Sequence, residues 1–461
     1  MSANGGAVAA LADGLSPSRL TDAGNAERFA ALHGKRVRFA HGLGEWLIWD
    51  GSRWAVDTRG EVRNLAIEAA RRLLRDSEKL EPPTREKVGS HALRSERRDR
   101  IMATIDLARS KAPIATVVDE LDRRPDLLNV ENGAIDLRHG KCLPHDAARL
   151  LTKLAPVPYD EAAGAPTWRA FLARVLPDAE LRAYVQRAAG YSLTGHVSEH
   201  CLFFCYGTGA NGKSTFLETL REALGEGEYA KAAAPDLLLA KRLDRHEAEI
   251  ADLRGTRFVT TVEVGQGRAW DEARVKWLTG GDTLSGRFLY TNRFSFAPTH
   301  KFWIAANHKP RVAGTDLGFW RRVHLIPWTV TIPEPERDPG LRHQLRAELP
   351  GILRWAVEGA VEWHARGLRA PAAVLAATSA YRTAEDVIGT FLADCTVADG
   401  SGRVLSTALY ETYRQWAERS GERVFSARGF GEALEDRSIE RKRSHGQTWV
   451  HGLRLGGPAD P

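Results

Sequence analysis

Cysteine is scarce in this chain, which has only Cys142, Cys201, Cys205 and Cys395 among 461 residues. Their spacing offers neither a disulfide framework nor a zinc knuckle. Such scarcity favours a reduced compartment, the cytoplasm. Because Cys201 and Cys205 flank an apolar run, we expect both to pack in a core.

Long apolar runs are also missing. No segment approaches the roughly 18 consecutive apolar residues of a membrane-spanning helix. The first residues, MSANGGAVAALADG, lack the basic region and apolar run of a secretory signal. We therefore expect no membrane partner. The small, polar composition of residues 1–24 predicts a disordered tail.

Charge is nearly balanced, with 65 Lys and Arg against 59 Asp and Glu, a net charge of +6. That slight excess is compatible with a nucleic-acid partner but does not require one. Hydrophobic residues make up 43% of the chain, which is enough for substantial cores. The length predicts two to four domains of roughly 100–200 residues each.

The N-terminal part mixes strand and helix patterns. Residues 36–58 alternate and are rich in Trp, which predicts a β-meander. Residues 60–125 look helical, with a basic, proline-bounded linker near 81–95. A strand, a turn and a second strand are expected at 128–137, and two amphipathic helices at 166–196.

The most informative segment is an apolar run, LFFCY, followed by GTGANGKST at 207–215. It matches the G-x-x-x-x-G-K-[ST] phosphate-binding loop. Glycines let successive backbone N–H groups turn toward phosphate oxygens. The helix expected at 214–224 offers its N-terminus to the same anion. The candidate nucleotide-binding residues are Gly207, Thr208, Gly209, Ala210, Asn211, Gly212, Lys213, Ser214 and Thr215.

The end of this loop predicts the cofactors. Lys213 can reach the β- and γ-phosphates of a nucleotide, and the Ser214 hydroxyl can bind Mg²⁺. We therefore expect ATP and Mg²⁺. The alternative is a glycine-rich turn that binds no ligand.

Two polar residues follow apolar strands. Such strands recur at 201–206, 257–263 and 302–306 with helical stretches between them, which predicts an α/β layer structure with a largely parallel sheet. Glu263 ends the second strand, where an NTPase needs a carboxylate to hold Mg²⁺ or polarise water. Asn307 follows the third strand and can orient the attacking water. The alternatives are a solvated strand end for Glu263 and a turn residue for Asn307.

Together with the phosphate loop, three further segments closely resemble the superfamily 3 helicases, in particular the helicase part of phage, plasmid and poxvirus primase-helicases. The segments are RFVTTVEVGQG at 257–267, DEARVKWLTGGDTLSGRFLY at 271–290, and KFWIAANHKPR at 301–311 with GFWRRVHLIP at 318–327. The resemblance covers roughly residues 30–365. It implies an AAA+ ATPase that assembles as a hexameric ring and translocates on DNA.

The resemblance also implies catalytic roles. Glu263 would support hydrolysis, although Gly265 stands where the family usually has a second acid. Asn307 would sense the γ-phosphate. Arg321, favoured over Arg322, would complete the neighbouring subunit's site as an arginine finger. The alternative for the two arginines is a solvated or ion-paired cation pair.

Two basic regions are candidates for DNA contact. Lys276, Arg287 and Arg293 surround an expected hairpin with strands at 288–290 and 294–296, which in the family tracks the DNA backbone. Positive charge supplies sequence-independent affinity for phosphates, but the alternating aromatic residues could equally fill a core.

The second region is a winged-helix pattern, with helices near 387–394, 407–419 and 426–436 and a hairpin at 439–455. It ends in the basic residues Arg441, Lys442 and Arg443. A basic wing suits DNA phosphates, and a protein partner is the alternative.

The sequence thus predicts an α/β chain with a disordered tail (1–24) and an α+β helicase-associated region (25–196). A superfamily 3 ATPase domain with an AAA+-like P-loop NTPase core (197–366) and a winged-helix domain (376–461) follow. Because the paired acids of a primase are missing, we expect any primase or polymerase on a separate protein.

The expected function is an ATP-dependent DNA helicase, an ATP hydrolase acting in replication of a phage, prophage or plasmid in the bacterial cytoplasm. It would act on single-stranded or forked DNA as a homo-hexamer. The alternatives are an ATP-switched initiator or loader that does not unwind DNA, and a nucleotide-gated defence or sensor ATPase.

Overall fold

A computed structural model of the chain describes residues 19–240, 247–262, 267–287, 293–312 and 316–456. None of the helices in these ranges has both the length and the apolar character needed to cross a bilayer.

The N-terminal part combines four helices with a mixed sheet. The helices are α1 (Asp22–His33), α2 (Glu61–Ser77), α3 (Thr84–Ser95) and α4 (Arg98–Ala108). The strands are β1 (Val37–His41), β2 (Glu45–Trp49), β3 (Trp54–Val56) and β4 (Ala115–Val117), in the order β3-β2-β1-β4. The predicted β-meander is confirmed as β1 to β3, and β4 adds to it in parallel.

Two expectations for this part were wrong. The proline-bounded segment near 81–95 is helix α3 rather than a linker, because Val88 and Ala92, one turn apart, are fully buried against α2. The expected tail also ends earlier than residue 24. Helix α1 begins at Asp22, and the Thr21 side chain caps it by accepting a hydrogen bond from Gly24 N at 3.1 Å. Residues 1–18 lie outside the described residues.

A second small sheet and two helices lead into the central region. The antiparallel strands β5 (Leu127–Val130), β6 (Gly133–Asp136) and β7 (Lys141–Leu143) confirm the strand pair expected at 128–137. The two amphipathic helices expected at 166–196 are confirmed as α5 (Pro166–Val175) and α6 (Ala179–Leu193).

A five-stranded parallel sheet forms the centre of the molecule. The strands of this region are β8 (Leu202–Tyr206), β9 (Ala230–Ala232), β10 (Phe258–Val262), β11 (Leu284–Gly286), β12 (Phe294–Phe296), β13 (Lys301–Ala306) and β14 (Val323–Pro327). The central order is β14-β8-β13-β10-β9, while β11 and β12 pair separately as an antiparallel hairpin. The predicted parallel sheet and its three predicted strands are confirmed.

Both faces of this sheet are covered, which explains its apolar strands. Phe203 and Cys205 belong to one core cluster, and Leu202 and Phe204 to the other. Cys201 and Cys205 are buried, as expected. The helices of the region are α7 (Lys213–Leu224), α8 (Glu247–Ala251), α9 (Glu272–Thr279), α10 (Leu317–Trp320), α11 (Leu341–Ala347), α12 (Leu349–Arg366) and α13 (Ala372–Glu385).

Helix α13 crosses the boundary expected between 366 and 376 and packs on the central sheet. Its Tyr381 is fully buried in the same cluster as Phe204. Its Thr378 Oγ1 accepts a hydrogen bond from Leu325 N in β14 at 3.1 Å. The helix therefore joins the central region to the C-terminal elements.

The C-terminal elements have their own core around Phe391, Tyr413 and Phe430. They are α14 (Val387–Cys395), β15 (Thr396–Leu405), α15 (Ser406–Ser420), α16 (Ala427–Glu435), β16 (Arg441–Ser444) and β17 (Gln447–Leu455). The three predicted helices and the terminal hairpin are confirmed. Strand β15 was not predicted, because its sequence, TVADGSGRVL, is polar and its pairing with β17 is interrupted between Ala398 and Arg403.

Candidate nucleotide-binding site

The phosphate loop leaves β8 and enters α7 through a tightly bent backbone. Gly209, Ala210 and Gly212 have φ of +107°, +46° and +81°, the left-handed region that glycine adopts most readily. At Gly207 a side chain is excluded for another reason, since a Cβ there would lie 2.1 Å from Trp328 O. The GTGANGKST pattern therefore reflects both backbone conformation and close packing.

A cleft of about 280 Å³ opens beside this loop. Because β8 and β13 are neighbouring parallel strands, their carboxyl ends meet at one edge of the sheet. The lining residues are Gly209, Ala210, Asn211, Gly212, Lys213, Ser214, Thr215, Ala305, Ala306 and Asn307. The structure thus brings the phosphate loop and Asn307 together.

Lys213 lies at the centre of the cleft and is 5% exposed. Its Nζ donates hydrogen bonds to Gly207 O at 2.8 Å, Asn211 Oδ1 at 2.9 Å and Asn307 Oδ1 at 3.1 Å. Burial lowers the pKa of this ammonium group below its usual value. All three acceptors are neutral, so among the described residues its positive charge is hydrogen-bonded but not paired with a carboxylate.

The first turn of α7 completes the cleft. Ser214 is exposed there, directly after the enclosed Lys213. The first backbone N–H groups of a twelve-residue helix have no partner within the helix and carry partial positive charge. Among the described residues, the cation and the helix end together favour an anion such as a polyphosphate at this place.

The predicted acid cannot be placed in this geometry. Glu263 and Gly265 lie outside the described residues. The preceding residue, Val262, ends β10 and is paired with Ala305, two positions before Asn307. The role predicted for Glu263 stays a prediction.

The segment after Asn307 is held by helix α13, which the sequence did not indicate. Lys309 Nζ lies 4.6 Å from the centre of the Tyr206 ring and 5.3 Å from that of Tyr381. The Tyr381 hydroxyl donates to Pro310 O, and Val312 N donates to Glu385 Oε2 at 3.0 Å. About seventy residues separate these partners, and no local motif signals such a contact.

The two adjacent arginines differ sharply in environment. Arg322 is 8% exposed, donating from Nε to Thr279 Oγ1 at 3.1 Å and from Nη1 to Gly318 O. Arg321 is exposed, and its side chain has no hydrogen bond or ion pair in the part of the chain that the structure describes. Arg322 therefore anchors the turn, while Arg321 is available to another molecule.

The predicted hairpin is only partly described. Its second strand is confirmed as β12, and the described partner of β12 is β11 at 284–286, whereas residues 288–292 lie outside the described residues. Phe294 and Phe296 are buried, so these two aromatic residues fill a core.

The three cations near this hairpin, the half-buried Lys276 and the exposed Arg287 and Arg293, are paired with acids. Lys276 Nζ lies 2.6 Å from Asp316 Oδ2. Arg287 and Arg293 share Glu247, with Arg287 Nε 2.8 Å from Glu247 Oε2. Two arginines against one carboxylate leave a local positive excess.

The basic residues of β16 also differ in whether an acid neutralises them. Arg441 Nη1 lies 2.9 Å from Glu435 Oε1, and Lys442 Nζ lies 2.7 Å from Glu440 Oε1. Arg443 is exposed, and its side chain has no hydrogen bond or ion pair among the described residues. Of the three predicted DNA contacts here, Arg443 is the one whose charge is not already paired.

Three family models match separate parts of the chain. The model described as "D5 N terminal like" matches residues 26–177, and "Poxvirus D5 protein-like" matches residues 384–449. The stretch between them, 205–322, matches a "Family of unknown function (DUF5906)". The phosphate loop, Asn307 and Arg321 lie in this middle match.

The chain is also similar to viral proteins. A "Putative helicase" of Acanthamoeba polyphaga mimivirus is 29% identical over 323 residues, which cover 64% of this chain and 33% of that protein. A "Putative helicase" of Frog virus 3 (isolate Goorha) is 25% identical over 305 residues, 62% of this chain and 30% of its own. A "Putative primase" of African swine fever virus (isolate Tick/Malawi/Lil 20-1/1983) is 22% identical over 214 residues, 45% of this chain and 22% of its own. The chain thus spans about a third or less of the length of these relatives.

Among solved structures, the apo C-terminal region of NrS-1 aligns with 93% of this chain and 98% of its own, at 12% identity and a TM-score of 0.49. The D5 matches near both ends of the chain, with the viral helicase and primase relatives, support a relationship to D5-like primase-helicases.

Proposed function

We propose that this chain is the ATPase part of a superfamily 3 DNA helicase of AAA+ type, which hydrolyses ATP with Mg²⁺ to unwind DNA during replication. The observation that carries the proposal is the environment of Lys213. A buried ammonium group whose acceptors among the described residues are all neutral is costly unless an anion joins it. The adjoining helix N-terminus favours the same anion.

Bound phosphates would take over the position now held by the acceptors of Lys213. The ammonium group would then reach the β- and γ-phosphates, and Asn307 would be released to face the γ-phosphate and orient the attacking water. Ser214 and Glu263 would hold Mg²⁺, which neutralises charge on the phosphates. The position of Asn307 at the end of β13, between β8 and β10, supports this assignment.

DNA is proposed as the partner on three grounds. The relatives are named as helicases and primases. The exposed Arg443 and the shared arginines Arg287 and Arg293 offer positive charge to phosphates. The order α14, β15, α15, α16, β16, β17 supports the winged-helix assignment of the C-terminal elements.

Ring assembly is proposed from the exposed Arg321, which has no partner of its own among the described residues. In a homo-hexamer, Arg321 would reach the γ-phosphate of the ATP bound to the next subunit. Replication of a phage, prophage or plasmid, location in the bacterial cytoplasm, and a primase or polymerase as a further partner complete the proposal.

ATP hydrolysis should be measured with and without single-stranded DNA for the native chain, Lys213→Ala and Lys79→Ala. Lys79 is a matched control, because it is 77% exposed at the end of α2. We expect hydrolysis that rises with DNA and falls about 100-fold or more in Lys213→Ala only. A forked duplex then tests strand separation.

Two outcomes would redirect the proposal. DNA binding with hydrolysis but without strand separation would favour an ATP-switched initiator or loader. Hydrolysis that ignores DNA would favour a nucleotide-gated sensor.

A further inference from the structure

Three potential metal ligands converge outside the nucleotide cleft. Asp126 precedes β5, His196 follows α6, and His364 lies in the last turn of α12. Asp126 Oδ1 lies 2.7 Å from His196 Nε2 and 3.2 Å from His364 Nε2. One ligand atom from each of the three residues lies within 4.8 Å of the other two.

The cluster is enclosed and incompletely hydrogen-bonded. The Asp126 side chain is 11% exposed, and both imidazole rings are partly buried. His364 Nε2 is shielded from solvent and makes no hydrogen bond among the described residues, although Asp126 Oδ1 is near. An enclosed ring nitrogen without a hydrogen bond is unfavourable, and a metal ion is a partner that would satisfy it.

We propose that Asp126 Oδ1, His196 Nε2 and His364 Nε2 bind one divalent transition-metal ion of the zinc class. Metal–nitrogen bonds of about 2.0–2.1 Å place neighbouring tetrahedral ligands about 3.3 Å apart. The two measured separations from Asp126 therefore need to open by less than an ångström. Two imidazoles and a carboxylate favour Zn²⁺ or Co²⁺ over Mg²⁺ or Ca²⁺.

The surroundings of the cluster suit such a site. Lys301, which is buried, donates to His196 O at 3.2 Å and to Thr194 O, so the loop carrying His196 is held in place. Arg138 pairs with the second oxygen of Asp126, Oδ2, which leaves Oδ1 for the metal. With three protein ligands, the fourth position is left for water.

The position of the site suggests what the ion does. Its ligands come from the edge of the β5–β7 sheet, from the loop entering β8 and from the end of α12. A bound ion would therefore fasten the small β5–β7 sheet to the central region. This inference does not depend on the proposed ATPase activity, because the cluster shares no residue with the nucleotide cleft.

The test is a cobalt(II) titration of the full chain, stripped of metal and free of nucleotide, followed by visible absorption. We expect one saturable site per chain with the intense d–d bands of four- or five-coordinate cobalt, and displacement by zinc. His196→Gln and His364→Gln should each weaken binding by at least about tenfold. His343→Gln, an exposed histidine on α11, is the matched control and should bind as the native chain does.

A fourth variant keeps the test decisive if a histidine variant fails to fold. Arg138 is 60% exposed, so Arg138→Ala should fold normally. It removes a cation near the metal and should tighten cobalt binding about threefold or more. The proposal is overturned by any of three results: no saturable site, a thiolate charge-transfer band that assigns the metal to cysteine, or native affinity in both histidine variants. Unchanged or weaker binding by Arg138→Ala also contradicts it.

Discussion

At the residue scale, neighbours in sequence can have unrelated roles. Arg321 and Arg322 follow the same short helix, yet one side chain faces solvent and the other is enclosed by Thr279 and the Gly318 carbonyl. Burial also lowers the pKa of Arg322, which is consistent with a structural role. This contrast favours Arg321 as the residue that acts on another subunit.

Alanine substitutions should separate these two roles. Arg321→Ala removes no side-chain hydrogen bond or ion pair among the described residues, so stability should stay native while ATP hydrolysis falls about 1,000-fold, the usual effect of losing an arginine finger. Arg322→Ala should lower the free energy of unfolding by about 2 kcal/mol, because it leaves buried groups without their partner. Urea unfolding and steady-state hydrolysis measure the two effects. Loss of stability in Arg321→Ala would contradict the assignment.

Sequence alone could predict residues whose chemistry is fixed by local spacing. The phosphate loop and Asn307 meet in one cleft because parallel strands end at one edge, a rule that needs no coordinates. The hydrogen bonds that Tyr381 and Glu385 make to residues 310–312 could not be predicted, because they depend on tertiary packing. The same holds for His196 and His364, which carry no zinc-knuckle spacing and meet only in three dimensions.

At the element scale, the backbones of helices α6 and α12 come into direct contact at Gly190 and Gly359. A Cβ on Gly190 would lie 2.0 Å from Ala360 N, and one on Gly359 would lie 2.1 Å from Gln186 O. Only glycine permits so close an approach. Because α12 also carries His364, this contact fixes the distance between the two proposed histidine ligands.

Matched glycine substitutions test this contact. Gly190→Ala should lower the free energy of unfolding by about 3 kcal/mol, since the added methyl group overlaps backbone that cannot move alone. Gly89→Ala, in α3, should raise it by about 0.5–1 kcal/mol, because a Cβ there meets nothing nearer than 3.5 Å and alanine favours helix. Urea denaturation of both variants gives the comparison. Equal effects in the two variants would show that the helices can separate at little cost.

Two histidines predict acid sensitivity: the buried His300, directly before β13, and the half-buried His324, in β14. Burial lowers the pKa of His300 and of His324 from 6.5 to about 4. Both rings therefore stay neutral in the folded chain while the unfolded chain binds protons. The contribution of these two neutral rings to the free energy of unfolding is fully present above pH 6.5. It is lost as the pH falls toward 4.

The loss at pH 5 should be about 2 kcal/mol for each ring. His324→Gln should remove the contribution of His324 to this loss. The free energies of unfolding at pH 5 and pH 7.5 should therefore differ less than in the native chain. His343→Gln, on the surface, should leave the difference unchanged. Urea unfolding midpoints at the two pH values measure it, and an unaltered difference in His324→Gln would rule out His324 as a source.

Periodicity predicted most elements, and its failures have physical causes. The helices and parallel strands of the centre are long or apolar enough to be recognised from sequence. Helix α3 was mistaken for a linker because two prolines precede a strongly charged segment, while only Val88 and Ala92 show its buried face. Strand β15 was missed because most of its side chains are polar and exposed.

At the scale of the whole molecule, the proposed function requires sites shared between subunits. Lys213 and Asn307 are contributed by one chain, whereas the exposed Arg321 would act in the next. Each single variant, Lys213→Ala or Arg321→Ala, should then be inactive by itself. A ring containing both variants would still form some complete sites, because the intact Lys213 of one subunit can face the intact Arg321 of its neighbour.

Mixing the two variants therefore gives the sharpest test of ring assembly. In an equal mixture with random assembly, about a quarter of the sites would combine both intact residues, so hydrolysis should recover to about a quarter of the native rate. Recovery should disappear on dilution below the concentration at which subunits associate. The control is each variant alone at the same total protein concentration. If no hydrolysis returns although the variants co-assemble, Arg321 acts within its own chain. The ring-based site would then be wrong even if Lys213 binds ATP.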